Sequence, residues 1–354
     1  MPPDQPTVVI AGVGRFGALH ARVWTEAGAR IVGMCDVDPD RVGAVAARFA
    51  VQEKDTLLPR LLDRVRPDAV IVATDEASHA ELAITALEAG CHVFVEKPLA
   101  LSSDDAWRIH ATAGSVGRQV VVGQISRFAA PYARMQRSVE QGRVGRLCAL
   151  RLRRDFSRSW YLAFGERVHP VWESCIHDID LAIAFVNEPV SRVMAIQSRA
   201  ASEAAPSVVS ALLEFEGGVS ATVESAWLLP ESAPQTLAGA LELSGAIAAE
   251  MEALGLEGVL RQRLLGDNLV EWTNAGSFVP DLSLWPDDDG VVGGALRREV
   301  DYALDVFRGR RAPDRIPLHQ VCWAVATAEA VVESLHHNKA VHLTRDPRDI
   351  EVSS

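Results

Sequence analysis

The sequence predicts an α/β protein of two domains, an N-terminal domain with a parallel sheet covered by helices on both faces and a C-terminal α+β domain with an open, mainly antiparallel sheet. Its 354 residues are enough for two domains. Apolar, β-branched runs alternate with amphipathic segments as far as Gly123, a rhythm typical of βαβ units. Later strand candidates are joined by short glycine-containing turns, such as EFEGGVSATVE at 214–224, which indicate antiparallel pairing.

Each element of the N-terminal domain follows from its local pattern. Short apolar runs bounded by turn residues predict strands at 7–12, 29–36, 68–74, 92–98 and 119–123. The amphipathic segments between them predict helices at 15–27, 39–49, 56–65, 76–89 and 103–115. The rhythm changes after Gly123, so the expected domains are 1–124 and 125–354.

The second domain has a different order of elements. The predicted helices are 129–141, 170–186, 294–308 and 318–337. The predicted strands are 147–156, 190–200, 207–215, 218–226, 237–243 and 259–265. The alternate apolar residues of 208–215 and 219–229 predict a sheet face that another subunit covers, in a homodimer or homotetramer. A monomer in which 228–290 folds over that face is the alternative.

Composition excludes several classes of function. Thirty-five basic against 47 acidic side chains give a net charge of −12, which disfavours binding to nucleic acid or to an anionic membrane surface. The sequence has no apolar run near the ~20 residues of a membrane span, and its start does not read as a secretory signal. The five cysteines form no CxxC pair and no metal-ligand spacing is present, so we expect a reduced, cytoplasmic protein without a metal site.

A glycine-rich turn joins the first predicted strand to the first helix. It reads GVGRFG at 12–17, the spacing of a dinucleotide-binding turn. Gly12 permits the tight turn, Gly14 lets the backbone approach a pyrophosphate, and Gly17 allows close packing of helix on strand. The helix N-terminus offers N–H groups to the phosphates. We therefore predict a Rossmann domain that holds its cofactor at this turn, including Arg15 and Phe16; a glycine-rich turn without a cofactor is the alternative.

Asp36 indicates which dinucleotide binds. It ends the second predicted strand, 19 residues after Gly17. A carboxylate there hydrogen-bonds the adenosine ribose hydroxyls and repels a 2′-phosphate. The nearest basic residue, Arg41, is five positions further on and falls within a predicted helix. The pattern favours NAD, with NADP left open.

Lys97 is the second candidate for chemistry. It lies in Glu96-Lys97-Pro98, at the carboxyl end of a predicted strand, which is where open α/β sheets bind their ligands. Only three of the 35 basic residues are lysines, namely Lys54, Lys97 and Lys339. An ammonium beside the nicotinamide is suited to hydrogen-bond a hydroxyl that is being oxidised. The alternative is a lysine in a surface turn before proline.

The stretch 73–103, together with the glycine-rich turn and Asp36, resembles the glucose–fructose oxidoreductase / inositol dehydrogenase / MocA family. The resemblance implies a substrate site on the C-terminal domain and, often, a cis peptide at Lys97-Pro98. It also implies that Thr74, His79 and Glu96 contact the cofactor, although a buried structural histidine is an equal alternative for His79. The family usually has proline where this chain has Asp75, for which helix capping is a sufficient explanation.

A third group of candidates lies in the predicted helix 170–186. Glu173 and His177 are four residues apart, so their side chains are expected on one helix face, where the carboxylate orients the ring and raises its basicity. By itself such a pair is more often a surface ion pair or a buried hydrogen bond. The family resemblance makes it catalytic, and implies a structural role for Asp180 and a substrate contact for Arg127. The family usually has aspartate at the position of Glu173, which leaves the substrate preference open.

These residues predict an NAD-dependent oxidoreductase that acts on a secondary alcohol of a sugar, an inositol or a related polyol. His177 would take the hydroxyl proton, Glu173 would orient it, and Lys97 would stabilise the developing alkoxide, with Arg127 among the substrate contacts. One alternative is an NADP-dependent keto-sugar or sugar-nucleotide reductase. Another, of a different class, is a sensor that binds NAD without turnover.

Overall fold

The computed structural model describes residues 5–164, 169–198, 207–237, 245–264, 269–274 and 276–344. Contacts divide the chain into two compact units. The first contains Met1–Ile125 and Asp287–Cys322, and the second contains Ser126–Pro286 and Trp323–Ser354. The segment 287–322 therefore belongs with the N-terminal unit, whereas a single boundary near residue 124 assigns it to the second domain.

The elements up to Gly123 alternate strictly between strand and helix. In chain order they are β1 Thr7–Ala11, α1 Arg15–Glu26, β2 Arg30–Cys35, α2 Pro39–Arg48, β3 Lys54–Asp55, α3 Leu58–Val65, β4 Ala69–Val72, α4 His79–Glu88, β5 His92–Glu96, α5 Ser103–Val116 and β6 Val120–Gly123.

The remaining elements begin with two helices and a long strand. In chain order they are α6 Ala130–Glu140, β7 Leu147–Ser157, α7 Arg158–Phe164, α8 Ile176–Val186, β8 Val190–Ser198, β9 Val208–Phe215, β10 Ser220–Leu229, β11 Gln235–Leu237, β12 Ile247–Gly255, β13 Val259–Leu264, β14 Glu271–Thr273, β15 Gly276–Pro280, β16 Asp287–Asp288, β17 Val291–Val292, α9 Gly294–Phe307, α10 Leu318–His337 and β18 Val341–His342.

The first unit is built on a parallel six-stranded sheet in the order β3-β2-β1-β4-β5-β6. The order reverses between β1 and β4, and this is where a doubly wound sheet opens a crevice at its carboxyl edge. Strands β1, β4 and β5 lie in the middle of the sheet, and their apolar side chains are almost all buried, as their unbroken runs of β-branched residues predicted. The short strand β3 was not predicted, because a two-residue strand leaves no periodic signal.

The second unit contains a seven-stranded sheet in the order β13-β12-β7-β10-β9-β8-β18. Within this seven-stranded sheet β7 and β10 pair in parallel, and the other neighbours are antiparallel. The predicted fold class is therefore confirmed. Strand β12 was missed, because IAAEMEALG is rich in good helix formers; pairing on both sides with β7 and β13 outweighs that preference. Of the strand predicted at 237–243, residues 238–243 lie outside the described residues.

The two faces of this sheet differ from our expectation. The alternate apolar residues of 208–215 and 219–229 are buried on the inner face, where Trp227 packs with Phe156 and Tyr161. The outer face carries the exposed side chains of Met194, Ile196 and Leu212 beside cross-strand ion pairs. The exposed face is therefore partly apolar and partly ionic, because the strands alternate their side chains between core and solvent.

Candidate functional site

The glycine-rich turn has the conformation that a dinucleotide requires. Gly12 has φ +86°, and a Cβ there would come within 2.5 Å of the Ala73 carbonyl oxygen. A Cβ on Gly17 would overlap the carbonyl oxygen of Gly12, whereas one on Gly14 would meet no atom within 4 Å. Two glycines thus allow tight packing, and the third leaves open space beside the backbone at the start of α1. Arg15 is exposed and Phe16 half-buried in the first turn of that helix.

Asp36 lies at the end of β2 and is almost fully buried. Its Oδ2 accepts a hydrogen bond from Val13 N at 2.9 Å, and its Oδ1 accepts from Asp38 N at 3.0 Å. Arg41, in the first turn of α2, approaches Oδ1 at 3.2 Å. The carboxylate is therefore hydrogen-bonded to the glycine-rich turn. Arg41 is closer to this carboxylate than its separation in sequence indicated, because Asp38 caps α2 through the N–H groups of Asp40 and Arg41.

The residues after β4 form a compact turn that contacts the segment 97–102 between β5 and α5, named here the Lys97 loop. His79 is buried, with Nδ1 2.7 Å from the Pro98 carbonyl oxygen and Nε2 3.2 Å from the Thr74 carbonyl oxygen. Ser78 Oγ donates to Thr74 Oγ1 at 2.7 Å. His79 thus connects the turn after β4 to the turn after β5, which supports the structural alternative. Asp75 occupies the N-cap position of the 3₁₀ turn Glu76–Ser78, but its side chain makes no capping hydrogen bond, so the capping explanation was wrong.

Lys97 follows β5 on the same edge of the sheet. It is half-buried, and its peptide bond to Pro98 is cis. Glu96 Oε1 lies 2.6 Å from Nε2 of His20, a completely buried residue of α1. The carboxylate of Glu96 is therefore hydrogen-bonded to a buried side chain of the first unit. The predicted cofactor residues of the first unit all follow β1, β2, β4 or β5 at the carboxyl edge, except Glu96, which is the last residue of β5.

The second group of candidates stands at the start of α8. Residues Val171–Cys175 form a π-helical turn, and the α-helix begins at Ile176. Glu173 lies in the π turn, and His177 is the second residue of α8, both half-buried. The predicted uniform helix over 170–186 is therefore wrong in its first turn. The wider turn changes the angular offset between Glu173 and His177, and such turns are frequent at functional sites.

A buried serine holds the π turn in place. Ser174 Oγ lies 2.7 Å from the Pro170 carbonyl oxygen and 2.7 Å from Ser225 Oγ of β10. The indole N–H of Trp227, also on β10, donates to it at 3.1 Å. These contacts connect the segment that carries Glu173 to the sheet.

Two buried ion pairs anchor α8. Arg127 donates to both carboxylate oxygens of Asp180 at 2.7 Å, and Arg154 donates to Asp178 at 2.8 Å. Burial raises the pKa of both carboxyls, and the charge of each arginine opposes that effect. Arg127 is 2% exposed, and two of its donor atoms bind Asp180. The structure therefore supports a positioning role for Arg127 rather than substrate contact, because its guanidinium is committed to a buried partner.

Sequence reasoning missed three residues that hold these groups: His20, Ser174 and Asp178. Only His20 had a usable signal, since Phe16, His20 and Trp24 recur every four residues on one helix face. The partners of the other two lie on distant elements. Within the described ranges, no group of three or more histidine, cysteine or acidic side chains is arranged to hold a metal ion. No helix in that part of the chain has the length and apolar character that a membrane span needs.

Comparisons with known proteins agree with this arrangement. Residues 7–124 match the GFO_IDH_MocA model, described as an oxidoreductase family with an NAD-binding Rossmann fold, and residues 132–259 match the GFO/IDH/MocA C-terminal domain. Inositol 2-dehydrogenase 1 of Saccharopolyspora erythraea is 32% identical over 224 residues, which are 61% of this chain. The match spans 66% of that relative, just under two thirds of its length.

Solved structures show the same fold. The fold is similar to GenD2 from gentamicin A biosynthesis in complex with NAD, with a TM-score of 0.81, 20% identity and 97% coverage of each chain. It is also similar to scyllo-inositol dehydrogenase from Lactobacillus casei with bound NAD(H) and scyllo-inositol. That TM-score is 0.79, with 18% identity and coverage of 96% of this chain and 99% of the other.

Proposed function

Because the chain belongs to the Gfo/Idh/MocA oxidoreductase family, we propose that it is an NAD-dependent dehydrogenase for a secondary alcohol of a sugar, an inositol or a related polyol. The observation that carries the proposal is the carboxyl edge of the first sheet. There the glycine-rich turn, Asp36 and Lys97 follow β1, β2 and β5. The inositol 2-dehydrogenase relative supports the choice of a polyol over other alcohols.

The residues of the first unit fit NAD. The open space at Gly14 leaves room for a pyrophosphate beside the N-terminus of α1, whose N–H groups favour negative charge. Asp36 is an acceptor at the place where the ribose hydroxyls bind. Bound NAD supplies the hydride acceptor. The chain's own part is to hold the dinucleotide at this edge, beside the Lys97 loop.

We assign three roles in the proton chemistry. Lys97 would donate a hydrogen bond to the substrate oxygen and stabilise the alkoxide as it develops. His177 would remove the hydroxyl proton as a general base. Glu173 would orient the imidazole. In ketone reduction the same groups act in reverse.

Turnover measurements test the proposal. The protein is incubated with NAD and a panel of inositols, aldoses and alditols, and the absorbance of the reduced cofactor is followed. We expect turnover on at least one polyol, and turnover lower by roughly 10²–10⁴-fold in a matched Lys97→Met sample. Tight NAD binding without turnover on any member of the panel contradicts the proposal and favours an NAD-binding sensor. A clear preference for NADP with a ketone substrate favours the reductase alternative.

We also propose that the protein is a homodimer or homotetramer that buries the outer face of the seven-stranded sheet. Ile196 is 61% and Leu212 50% exposed on that face, and Met194 lies beside them. A twofold contact would cover these side chains and pair the neighbouring charges. Light scattering decides: a mass near the 38.3 kDa of one chain contradicts the proposal. Leu212→Glu should shift an oligomer toward monomer, whereas Leu256→Glu, another exposed leucine, serves as the control.

The reducing cytoplasm is the compartment we propose. All five cysteines are free thiols, and four of them are buried. Burial, together with the charges of Asp55 and Asp36, raises the pKa of Cys35 to about 12, so this thiol stays protonated and unreactive. Free thiols of this kind are typical of proteins in reducing compartments, where disulfides do not form.

A further inference from the structure

His20 lies on α1, three residues after the glycine-rich turn, and its side chain is completely buried. Its Nδ1 lies 3.3 Å from Nε1 of Trp24, and its Nε2 lies 2.6 Å from Oε1 of Glu96. The indole N–H of Trp24 can only donate, so Nδ1 of His20 must accept. The proton of a neutral ring is then on Nε2 and is donated to Glu96. The geometry therefore assigns the N–H of the ring to Nε2, where it faces Oε1 of Glu96.

Glu96 is held from several sides. Its Oε1 accepts from His20, and its Oε2 accepts from the backbone N–H of Lys97 at 3.3 Å. Gly123 lies opposite on β6, where a Cβ would come within 2.8 Å of Oε2. The carboxylate thus occupies a space that exists because residue 123 has no side chain.

Aromatic rings surround the hydrogen bond between His20 and Glu96. The ring centres of Phe16 and Phe94 lie 5.2 and 5.1 Å from that of His20, and Trp24 packs edge-on against Phe94. Little water reaches a hydrogen bond in such surroundings, and a bond to a carboxylate is stronger there than in solvent. The link is therefore a rigid one.

This link joins two parts of the site that the fold otherwise keeps on separate elements. Helix α1 begins in the glycine-rich turn, and Glu96 ends the strand that carries Lys97. We propose that His20 is a positioning residue, whose Nε2–H holds Glu96 and thereby sets the place of Lys97 relative to the glycine-rich turn. Glu96 is then a connection between α1 and the Lys97 loop rather than a cofactor ligand. The kinetic consequence rests on the proposed function of Lys97.

The scarcity of lysine makes the position of Lys97 measurable without a substrate. Reductive methylation with ¹³C-formaldehyde labels Lys54, Lys97, Lys339 and the N-terminal amine, and Lys97→Arg identifies the Lys97 signal. In His20→Phe an aromatic ring remains at position 20 and Glu96 is unchanged, but the N–H donor is lost. We therefore expect the Lys97 signal of the cofactor-free protein to move. Glu96→Ala should move it too. His20→Gln keeps an N–H donor and should leave it near its wild-type position.

Kinetics provide a second readout. His20→Phe should lower kcat by about 10- to 100-fold, the scale of a small misplacement of a reacting group. The pH–rate profile should keep its shape, because both ring nitrogens of His20 are engaged by Trp24 and Glu96 and neither is available to a substrate. His20→Gln should recover most of the loss, and the double variant with Glu96→Ala should be no slower than Glu96→Ala alone.

The outcomes separate the two proposals. An unmoved Lys97 signal in folded His20→Phe, or in Glu96→Ala if the first variant fails to fold, overturns the positioning role. A pH–rate profile that changes shape in His20→Phe also overturns it, since His20 would then take part in proton transfer. If the wild type turns over no alcohol, the proposed function fails, and the Lys97 signal still decides the role of His20.

Discussion

Asp36, at the edge of the first sheet, and the two aspartates of helix α8 are held mainly by different kinds of donor. Asp36 accepts hydrogen bonds from the backbone N–H groups of Val13 and Asp38. Asp178 and Asp180 instead bind arginine side chains that lie 24 and 53 residues away in sequence. Asp36 ends a strand at the crevice edge, whereas both α8 aspartates are inside the second unit.

The different donors indicate different roles: we propose that Asp36 binds a ligand and that Asp178 and Asp180 support helix α8. Two backbone donors and the half-exposed Arg41 hold Asp36, and its carboxylate still has a lone pair for a ligand at the carboxyl edge of the sheet. Arginine donors satisfy most of the capacity of Asp178 and Asp180, so these residues orient the helix that carries His177. We therefore propose that the same chemical group serves a ligand in one unit, whereas it supports the architecture in the other.

The largest expected effects concern one residue from each region. Lys97→Met and His177→Ala should each lower turnover by roughly 10²–10⁴-fold, the scale of lost acid–base help. NAD affinity should change much less, because the glycine-rich turn and Asp36 remain. Steady-state kinetics and an NAD titration measure both quantities, with the exposed Lys54→Met as control. Near wild-type turnover in either variant removes that residue from the mechanism.

The burial of an ion pair should determine how much unfolding free energy is lost when its arginine is replaced. Arg127→Met leaves Asp180 buried without its partner and should cost about 3–5 kcal/mol of unfolding free energy, measured in urea. Arg41→Met removes a half-exposed partner of Asp36 and should cost at most about 1 kcal/mol. The double variant Arg127→Met/Asp180→Leu should recover much of the first loss. Equal costs for Arg127 and Arg41 would contradict the contrast.

Cofactor choice tests whether Asp36 serves a ligand. Replacing Asp36 with serine and Val37 with arginine removes a charge repulsion and adds a partner for a 2′-phosphate. Val37 is 87% exposed, so the new arginine needs no repacking. The ratio of NADP to NAD efficiency should rise by roughly tenfold or more, which corresponds to about 1.4 kcal/mol. A wild type that already prefers NADP tenfold would refute our interpretation of Asp36.

The smallest effect concerns His92, at the start of β5. Burial, and then the charge of Arg118, lower its pKa below the ordinary 6.5. The folded state therefore favours the neutral ring, and its Nδ1 accepts from Gln119 N at 3.0 Å. Stability should fall as pH drops below 6.5, because the unfolded chain takes up the proton first. His92→Phe keeps the stacking on Phe307 and should show a smaller drop in Tm on acidification; an equal drop would exclude His92 as its source.

Local physics made the first unit predictable. The glycine-rich turn, Asp36 and Glu96-Lys97-Pro98 each follow a strand of continuous apolar residues, so their place on the crevice edge follows from strand order alone. The conformational demands on Gly12 and Gly17 arise within a few residues of chain. Sequence patterns capture interactions of this range.

Tertiary contacts decided the rest. The nine residues of β12 form a strand despite their helical composition because two neighbouring strands bind them. The π turn before α8 depends on Ser174, whose partners Ser225 and Trp227 lie about fifty residues further along. The sequence by itself determined the fold class and the cofactor turn, since both follow from short-range patterns. Only the tertiary structure decided which polar side chains pair, and hence which of them support others. Those partners meet only when distant segments pack together.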